Sequence, residues 1–420
     1  MKYTRPRGLQ DILPDKVARW QHAESTFRET CHRYRYQEIR TPIFEDTNLF
    51  TRAVGEETDI VSKEMYTFED RSGHSLTLRA EGTAPAVRAY IENNLWGQDR
   101  ERLVKLYYIG PIFRYDRPQA GRYRQHHQCG IEAIGSANPA VDAEVIDLAL
   151  GFYGALGIGE VELRLNSVGC PDCAPGYLEA LKEAVRPHIG EMCGDCRRRF
   201  DANPMRILDC KNEVCKSVTE QAPKMLSILC DDCSRHFSGV CRHLAALRIE
   251  YVIDPRIVRG LDYYTKTAFE FKATGLGAQD SIGGGGRYDG LVEQCGGRAT
   301  PGVGLGMGLE RILLVRESME SGDETTPRHG TMIVALGERA WDQGVELAGA
   351  LRDAGLEVDL DYRQRSLRAQ LRAADADGFA HAVILGDDEL DRGVATLRDM
   401  ESSEQTEVPL EQLQAALSPG

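Results

Sequence analysis

The sequence predicts an α+β protein of several domains, with a cysteine-rich helical insertion in its main domain and a small α/β domain at its C-terminus. Three observations support this fold class. The stretches 64–90 and 110–134 each have the pattern of a β-hairpin. Nine of the 12 cysteines lie between Cys170 and Cys241, among helical patterns. After a polar segment at 319–328, strand and helix patterns alternate as β-α-β-α-β, which is typical of a mainly parallel sheet.

At 420 residues the chain is too long for one ordinary hydrophobic core, so several domains are expected. The composition changes near Gly169 and near Leu247, and the polar segment marks a further boundary. We expect the main domain in two parts, an insertion between them, a linker and a C-terminal domain. These are, in chain order, 1–168, 169–248, 249–318, 319–328 and 329–420.

The composition argues against several classes of protein. With 42% hydrophobic and 28% charged residues, the chain has the composition of a soluble globular protein. It has no apolar signal core at its N-terminus and no run of about eighteen apolar residues, so we expect a cytoplasmic protein without a membrane partner. A net charge of -14 argues against nonspecific coating of nucleic acid. Local basic patches can still bind one RNA of defined shape.

The main domain begins with an amphipathic helix at 15–36, where apolar residues recur at helical spacing. A strand is expected at 36–43 and should end at Pro42, because proline lacks the N–H that a strand ladder needs. This helix and strand could pack in the core or form a dimer seam. Another helix, at 139–158, and a strand, at 161–167, precede the insertion.

The hairpin at 64–90 ends in Glu81, Gly82 and Thr83, just before a predicted helix. A carboxylate, a glycine and a hydroxyl at a strand-to-helix junction could bind an ammonium or hydroxyl group. Alternatively, Thr83 could simply cap the helix.

The loop of the hairpin at 110–134 concentrates four arginines within a short stretch. Guanidinium groups bind phosphate oxygens in pairs, so the loop suits a polyphosphate or a nucleic-acid backbone. A solvated basic hairpin is the alternative. The arginines are Arg114, Arg117, Arg122 and Arg124.

Eight cysteines of the insertion form pairs, three of them Cys-x-x-Cys, which could supply two tetrahedral zinc sites. Free, partly buried thiols are the main alternative and disulfides a further one. The spacing does not tell which pairs would share a metal ion. The cysteines are Cys170, Cys173, Cys193, Cys196, Cys210, Cys215, Cys230 and Cys233.

Residues 302–308 alternate glycine with apolar residues and lead into a helix near Leu309. A dinucleotide-binding fingerprint would need its third glycine where Met307 stands, so that interpretation fails. Alternating glycines suit a strand over which a flat ring or a backbone segment passes closely. Arg311 could then reach a phosphate near the positive end of the helix dipole, or form an ordinary salt bridge.

Several of these segments resemble motifs of the class II aminoacyl-tRNA synthetases. Segment 38–42 (Glu-Ile-Arg-Thr-Pro) resembles the first motif of that class, 113–132 the second and 304–311 the third. Segments 259–264 (Arg-Gly-Leu-Asp-Tyr-Tyr) and 285–290 (Gly-Gly-Arg-Tyr-Asp-Gly) are similar to signatures of the histidyl-tRNA synthetase family within the class, which makes them more specific. The resemblance covers nearly the whole chain.

The resemblance implies a catalytic domain with an antiparallel sheet flanked by helices, a C-terminal anticodon-binding domain and a homodimer. The implied activity is that of a histidine–tRNA ligase, which joins L-histidine and ATP, with Mg²⁺, into histidyl-adenylate and pyrophosphate. The histidyl group then passes to the 3′ end of tRNA(His). Such chemistry depends on positioning and charge neutralisation, which arginines and Mg²⁺ supply.

The resemblance also implies roles for individual residues. Arg114 and Arg259 are the expected catalytic residues, acting on the charge of the α-phosphate. Arg311 and, more weakly, Arg122 are expected to join Arg114 in binding ATP. The expected histidine-binding residues are Glu81, Gly82, Thr83 and Gln128 around the ammonium group, and Glu132, Tyr263 and Tyr264 around the imidazole.

Three features depart from the family pattern. His126 stands where the family often has an aromatic ring stacked on adenine, and Ala80 replaces a frequent proline. The cysteine-rich insertion is not general to the family, so any zinc there is expected to be structural or RNA-positioning.

Two rival functions are weaker. A paralogue that regulates ATP phosphoribosyltransferase typically lacks the 259–264 motif and the anticodon domain, and both are present here. A zinc-dependent RNA-binding protein on the same scaffold would have no reason to keep Glu81, Gln128, Glu132 and Tyr264 together.

Overall fold

The computed structural model describes residues 3–55, 58–99, 102–274, 280–319 and 328–418. The chain divides into two compact units, Met1–Glu320 and Ser321–Gly420. Most of the expected linker at 319–328 lies outside the described residues. Among the helices that are described, none has both the length and the apolar character needed to cross a bilayer.

The first unit is built from short and long strands interleaved with helices. Its strands are β1 (Gln37–Glu38), β2 (Phe44–Asp46), β3 (Thr67–Glu69), β4 (Ser75–Leu78), β5 (Val104–Phe113), β6 (Gln125–Ile134), β7 (Val161–Gly169), β8 (Val252–Ile253), β9 (Thr265–Ala273), β10 (Ser281–Arg287) and β11 (Gly302–Gly308). Its α-helices are α1 (Pro14–Arg33), α2 (Thr47–Val54), α3 (Thr83–Glu92), α4 (Pro139–Ala155), α5 (Ala174–Val185), α6 (Gly194–Ala202), α7 (Glu213–Glu220), α8 (Asp231–Ala246), α9 (Leu291–Gln294) and α10 (Leu309–Met319).

An eight-stranded sheet forms the centre of this unit, in the order β1-β5-β6-β11-β10-β9-β7-β8. The six inner strands pair antiparallel, and only the edge pairs β1/β5 and β7/β8 are parallel. A smaller sheet, β2-β4-β3, contains the predicted hairpin at 64–90. The expected antiparallel α+β fold is confirmed.

Helices α1 and α4 contribute to the hydrophobic core beside the large sheet. Phe27 of α1 meets Phe152 of α4 with ring centroids 5.1 Å apart, and Tyr107 of β5 with centroids 5.8 Å apart. All three rings are almost completely buried. Each such burial contributes about 1.5–3 kcal/mol to folding, so these aromatic residues hold the helices on the sheet that carries the site.

A buried ion pair ties the last helix of the insertion to the same sheet. Arg287 of β10 and Asp142 of α4 are both fully buried, and Arg287 Nη2 lies 2.6 Å from Asp142 Oδ2. His236 of α8 lies 3.1 Å from Asp142 Oδ1. Because several hydrogen bonds satisfy each buried charge, the group fixes where the insertion returns to the main domain.

The strand predicted at 36–43 is shorter than expected and comprises only β1. The backbone at Thr41 is satisfied by a side chain, because Arg79 Nη1 donates to the Thr41 carbonyl at 3.1 Å. At the opposite edge of the large sheet, the two residues of β8 pair with β7.

The insertion is mostly helical, as predicted, and comprises α5 to α7, short 3₁₀ turns and α8. Its small core includes Tyr177, Leu181, Phe200 and Met225.

The second unit contains β12 (His329–Ala335), α11 (Glu338–Asp353), β13 (Val358–Leu360), α12 (Leu367–Ala376), β14 (Phe379–Leu385), α13 (Asp387–Arg392), β15 (Val394–Asp399), β16 (Gln405–Pro409) and α14 (Leu413–Leu417). Its sheet has the order β13-β12-β14-β15-β16. The first three strands are parallel, as expected, but β15 and β16 add antiparallel pairs. The sheet is therefore mixed rather than mainly parallel, because 394–409 forms a hairpin that the sequence reading missed.

Candidate active site

A cavity of about 830 Å³ opens on the large sheet of the first unit. Different elements position its walls: the β4–α3 junction, the end of β5, β6, the segment before β9, and the start of α10. Most of the predicted site residues lie in this wall, although they are far apart in sequence. They are Glu81, Thr83, Arg114, Arg122, Gln128, Arg259, Tyr263, Tyr264 and Arg311. The other two, Gly82 and Glu132, lie outside the cavity wall.

The backbone orients two of the cavity arginines. Arg114 Nε donates to the Ala80 carbonyl at 2.7 Å. Arg311 Nε donates to the Gly121 carbonyl at 2.9 Å, and its Nη1 donates to the Ser281 carbonyl at 2.8 Å. Burial, reinforced by the neighbouring Arg122, lowers the pKa of Arg311. Carbonyl partners fix the orientation of these guanidinium groups in the cavity wall, where guanidinium groups can bind an anionic ligand.

Arg122 has a different environment, because a carboxylate already pairs with it. Its Nε lies 2.6 Å from Asp116 Oδ2, and its Nη2 lies 2.6 Å from Asp116 Oδ1. This bidentate pair neutralises much of its charge, so the Arg122 guanidinium is less available to an anionic ligand.

Glu81 caps the helix that follows it. Its carboxylate accepts from the backbone N–H groups of Thr83 at 2.7 Å and Ala84 at 2.6 Å, and from the Tyr263 hydroxyl at 3.3 Å. Burial raises the pKa of Glu81, and the two N–H groups oppose that rise. The alternative in which Thr83 caps α3 is wrong, because Thr83 is the first helical residue and the Glu81 side chain takes that role.

Glu132 lies on β6, is fully buried, and is held by two tyrosines. The Tyr288 hydroxyl donates to its Oε2 at 2.6 Å, and the Tyr108 hydroxyl to its Oε1 at 3.3 Å. Burial raises the pKa of Glu132 to about 8, although these hydroxyls act in the opposite direction. A carboxyl group with this pKa gains or loses its proton near neutral pH.

The alternating glycines of β11 make room for the side chains of β6. A Cβ at Gly304 would overlap the Glu132 carboxylate, and one at Gly306 would overlap the Gln128 amide. On β10, a Cβ at Gly284 would come within 2.7 Å of Arg259 Nη1. The glycine-rich strands therefore form a floor that admits the side chains of predicted site residues, whereas the expected close neighbour was a flat ring or a backbone segment.

Two polar atoms of this site are buried and have no hydrogen-bond partner within the described part of the chain: Arg259 Nε and Gln128 Oε1. Buried polar groups are normally paired, so unpaired ones in a cavity wall indicate a place for a polar ligand. The Arg259 guanidinium also lies 5.6 Å from the centre of the Tyr264 ring, which restricts its orientation.

His126 lines the cavity between the arginines. Burial, together with the charges of Arg114 and Arg311, lowers its pKa to about 3. Its imidazole is therefore neutral at physiological pH and offers a flat face that can stack on a base.

The eight paired cysteines of the insertion converge in two groups of four, and in each group all sulfur atoms lie within 4.8 Å of one another. The base group is Cys170, Cys173, Cys230 and Cys233, and the wall group is Cys193, Cys196, Cys210 and Cys215. All are free thiols in the described chain. This pairing could not be read from the sequence, and the disulfide alternative finds no support in it.

Sequence reasoning missed several residues that organise the site. Tyr108 and Tyr288 hold Glu132, and Glu310 accepts from the His127 backbone N–H at 2.9 Å, which fixes the return strand against α10. Glu270 of β9 also lines the cavity. Tyr288 lies within the quoted 285–290 signature, so that motif was the available signal for it.

Known proteins match the chain over almost its whole length. A family model described as histidyl-tRNA synthetase matches residues 8–312, and one described as an anticodon binding domain matches 331–418. A histidine–tRNA ligase of Desulforamulus reducens is 52% identical over 413 residues, 98% of each chain. One of Pelotomaculum thermopropionicum is 52% identical over 411 residues, 98% of this chain and 96% of the relative.

A solved structure gives the same result. The crystal structure of apo S. aureus histidyl-tRNA synthetase is 38% identical and has a TM-score of 0.82, over 99% of this chain and all of that one. The fold, the site motifs and these matches agree, and we conclude that the chain belongs to the histidyl-tRNA synthetase family.

Proposed function

We propose that this protein is a histidine–tRNA ligase that acts in the cytoplasm during protein synthesis. It joins L-histidine to ATP, forming histidyl-adenylate and pyrophosphate, and then transfers histidine to the 3′ end of tRNA(His). The observation that carries the proposal is a single cavity lined by Arg114, Arg259 and Arg311 together with Glu81 and Tyr264. Such a cavity can neutralise a triphosphate while it holds a zwitterion.

In the first step, a carboxylate oxygen of histidine attacks the α-phosphorus of MgATP, and the bond to the bridging oxygen breaks to release pyrophosphate. Arg114 binds the α-phosphate, and Arg259 stabilises the charge that develops there. Arg311, with a smaller contribution from Arg122, holds the β- and γ-phosphates. Fixed guanidinium groups need no reorganisation during the reaction, which is why they accelerate it.

The amino acid is recognised at both of its ends. Glu81, Gly82, Thr83 and Gln128 surround the ammonium group, and the unpaired Gln128 Oε1 supports this assignment. We assign the imidazole to Tyr264, which lines the cavity, and to Glu132, which is buried outside the lining. Tyr263 lines the pocket. An imidazole carries one donor and one acceptor, so an amino acid without them would leave buried polar groups unpaired.

In the second step, a hydroxyl group of the terminal ribose of the tRNA attacks the carbonyl carbon of the adenylate and AMP leaves. We assign the anticodon contacts to the C-terminal domain, whose family model supports this role. We also propose a homodimer, by analogy with the family, and structural zinc in the insertion with no part in the chemistry.

Pyrophosphate exchange tests the proposal directly. Purified protein with ATP and labelled pyrophosphate should incorporate label into ATP when histidine is added, and with none of the other amino acids. Exchange with a different amino acid, or none at all, would overturn the assignment. Sedimentation of the purified protein tests the dimer separately.

A further inference from the structure

The two cysteine groups occupy different places in the insertion. The base group lies where the chain leaves β7 and where α8 begins, so it closes the insertion at its foot. The wall group lies beside the active-site cavity, since one of its members, Cys210, is part of the cavity wall. Its neighbours Leu208, Asp209 and Lys211 line the same cavity.

The sulfur geometry fits one tetrahedral metal ion in each group. A zinc ion with four thiolates at about 2.3 Å requires sulfur atoms about 3.8 Å apart. Cys193 and Cys210 in the wall group are 3.8 Å apart. The base group gives 3.7 Å for Cys170 to Cys230 and 3.8 Å for Cys173 to Cys233. A polynuclear iron–sulfur cluster would hold its cysteines farther apart, because iron and sulfide lie between them.

Hydrogen bonds and packing contacts link the wall group to the segment 259–264. Two of its cysteines flank the start of α6, whose Arg199 Nη2 lies 3.0 Å from Asp59 Oδ2. Arg199 Nη1 also donates to the Arg206 carbonyl at 3.2 Å, and a Cβ placed on Gly260 would lie 3.4 Å from Arg206 Nη1. Directly after α6, the Asn203 amide donates to Asp262 Oδ1 at 2.9 Å. Thus Asn203 binds the catalytic segment itself.

The insertion core reaches the other side of the same segment. Val258, the residue before Arg259, packs against that core, which also contains Cys196, Cys215 and Phe200. Contacts from the insertion therefore hold the chain on both sides of Arg259, at Val258 and at Asp262.

We propose that the wall group binds a zinc ion and that this ion fixes the position of segment 259–264, with Arg199 and Asn203 as positioning residues. The catalytic consequence rests on the proposed function of Arg259. The helix α6 has only 9 residues and its core is small, so a bound metal ion would add to its stability. Metal binding contributes directly to the folding of such subdomains.

Metal analysis of the intact protein is the first test. We expect two zinc ions per chain, and one in Cys193→Ser. Protein prepared with cobalt in place of zinc should show thiolate-to-cobalt charge transfer and the visible bands of tetrahedral cobalt. A Cys193→Ser protein that holds as much zinc as the parent, or an octahedral cobalt spectrum, would overturn the metal site of the wall group.

Hydrogen exchange and pyrophosphate exchange test the coupling. In Cys193→Ser, amide protection at 259–264 should fall, and the kcat for histidine-dependent exchange should drop about tenfold or more. In Cys170→Ser, one zinc should also be lost, but the loss of protection should centre on the end of β7 and the start of α8. A Cys193→Ser protein that has lost its zinc but keeps the protection of 259–264 would contradict the proposal.

A second comparison leaves both metals in place, in case the cysteine variants fail to fold. Arg199→Ala should retain two zinc ions yet lose protection at 259–264 and lower kcat more than it raises KM. Arg198→Ala on the same helix is the matched control, because its side chain is 69% exposed and pairs only with Asp195 among described residues. Equal behaviour of the two variants would refute the connection. Metal content and amide protection need no activity, so a parent protein without exchange would count against the proposed function alone.

Discussion

The substitution Gly304→Ala tests whether the glycine floor sets the histidine pocket. A methyl group at this position would overlap the Glu132 carboxylate, which is fully buried and cannot move into solvent. The carboxylate would have to shift away from β11 and from the Tyr288 hydroxyl, now 2.6 Å away. Gly308→Ala on the same strand is the matched control, because an added Cβ there meets nothing within 4 Å.

The expected magnitude follows from the hydrogen bond at risk. Leaving a buried hydrogen-bonding group without its partner costs about 1–3 kcal/mol. If the displaced carboxylate can no longer bind the imidazole, the KM for histidine should rise about ten- to a hundredfold, since about 1.4 kcal/mol corresponds to a factor of ten. Overpacking should also lower the free energy of unfolding by about 1–3 kcal/mol.

The assay is histidine-dependent pyrophosphate exchange, titrated separately with histidine and ATP, alongside thermal unfolding. The KM for ATP should change much less than the KM for histidine. The proposed ATP-binding residues Arg114 and Arg311 take no part in the contact between position 304 and Glu132. If Gly304→Ala and Gly308→Ala gave the same KM for histidine as the parent protein, the Glu132 assignment and the steric reasoning would both be refuted.

Three further predictions concern buried charges. Arg259→Ala should lower the kcat of pyrophosphate exchange about 10²- to 10³-fold. The melting temperature should not fall, because the buried Nε of Arg259 makes no hydrogen bond to the described chain. A drop in melting temperature would indicate a structural role. Asp142→Ala leaves the buried Arg287 with Asp289 as its remaining carboxylate partner and removes a partner of His236. It should cost up to about 3–5 kcal/mol in urea unfolding, and a loss below about 1 kcal/mol would contradict the assigned ion pair. Burial raises the pKa of Glu132 from 4.5 to about 8, so the folded protein holds this proton more tightly than the unfolded chain. The resulting loss of folding stability is absent at low pH and grows until the pH passes about 8. The stability of Glu132→Gln relative to the parent should therefore increase with pH over this range, by up to about 5 kcal/mol. Melting curves whose difference did not change with pH would disprove the raised pKa.

Much of the fold was predictable because local patterns are strong there. The hairpin at 110–134, the entry into α10 and the helical insertion all follow from periodicity and turn residues. The predictions failed where a distant side chain replaces a backbone partner, as Arg79 does at Thr41, or where short strands lack a clear pattern, as in the hairpin at 394–409. The roles of the site residues came from motif resemblance and still await the experiments above.

The sequence alone determined the family, because the motifs at 259–264 and 285–290 are contiguous and can be recognised without knowledge of the fold. It also determined that the cysteines come in pairs, because Cys-x-x-Cys spacing is local. Only the tertiary structure decided which pairs meet, since that depends on how the chain folds back between Cys173 and Cys230. It also revealed that Tyr288 holds Glu132 from 156 residues away and that Gly304 makes room for that contact. Such contacts are set by strand register and packing, which a linear pattern does not contain.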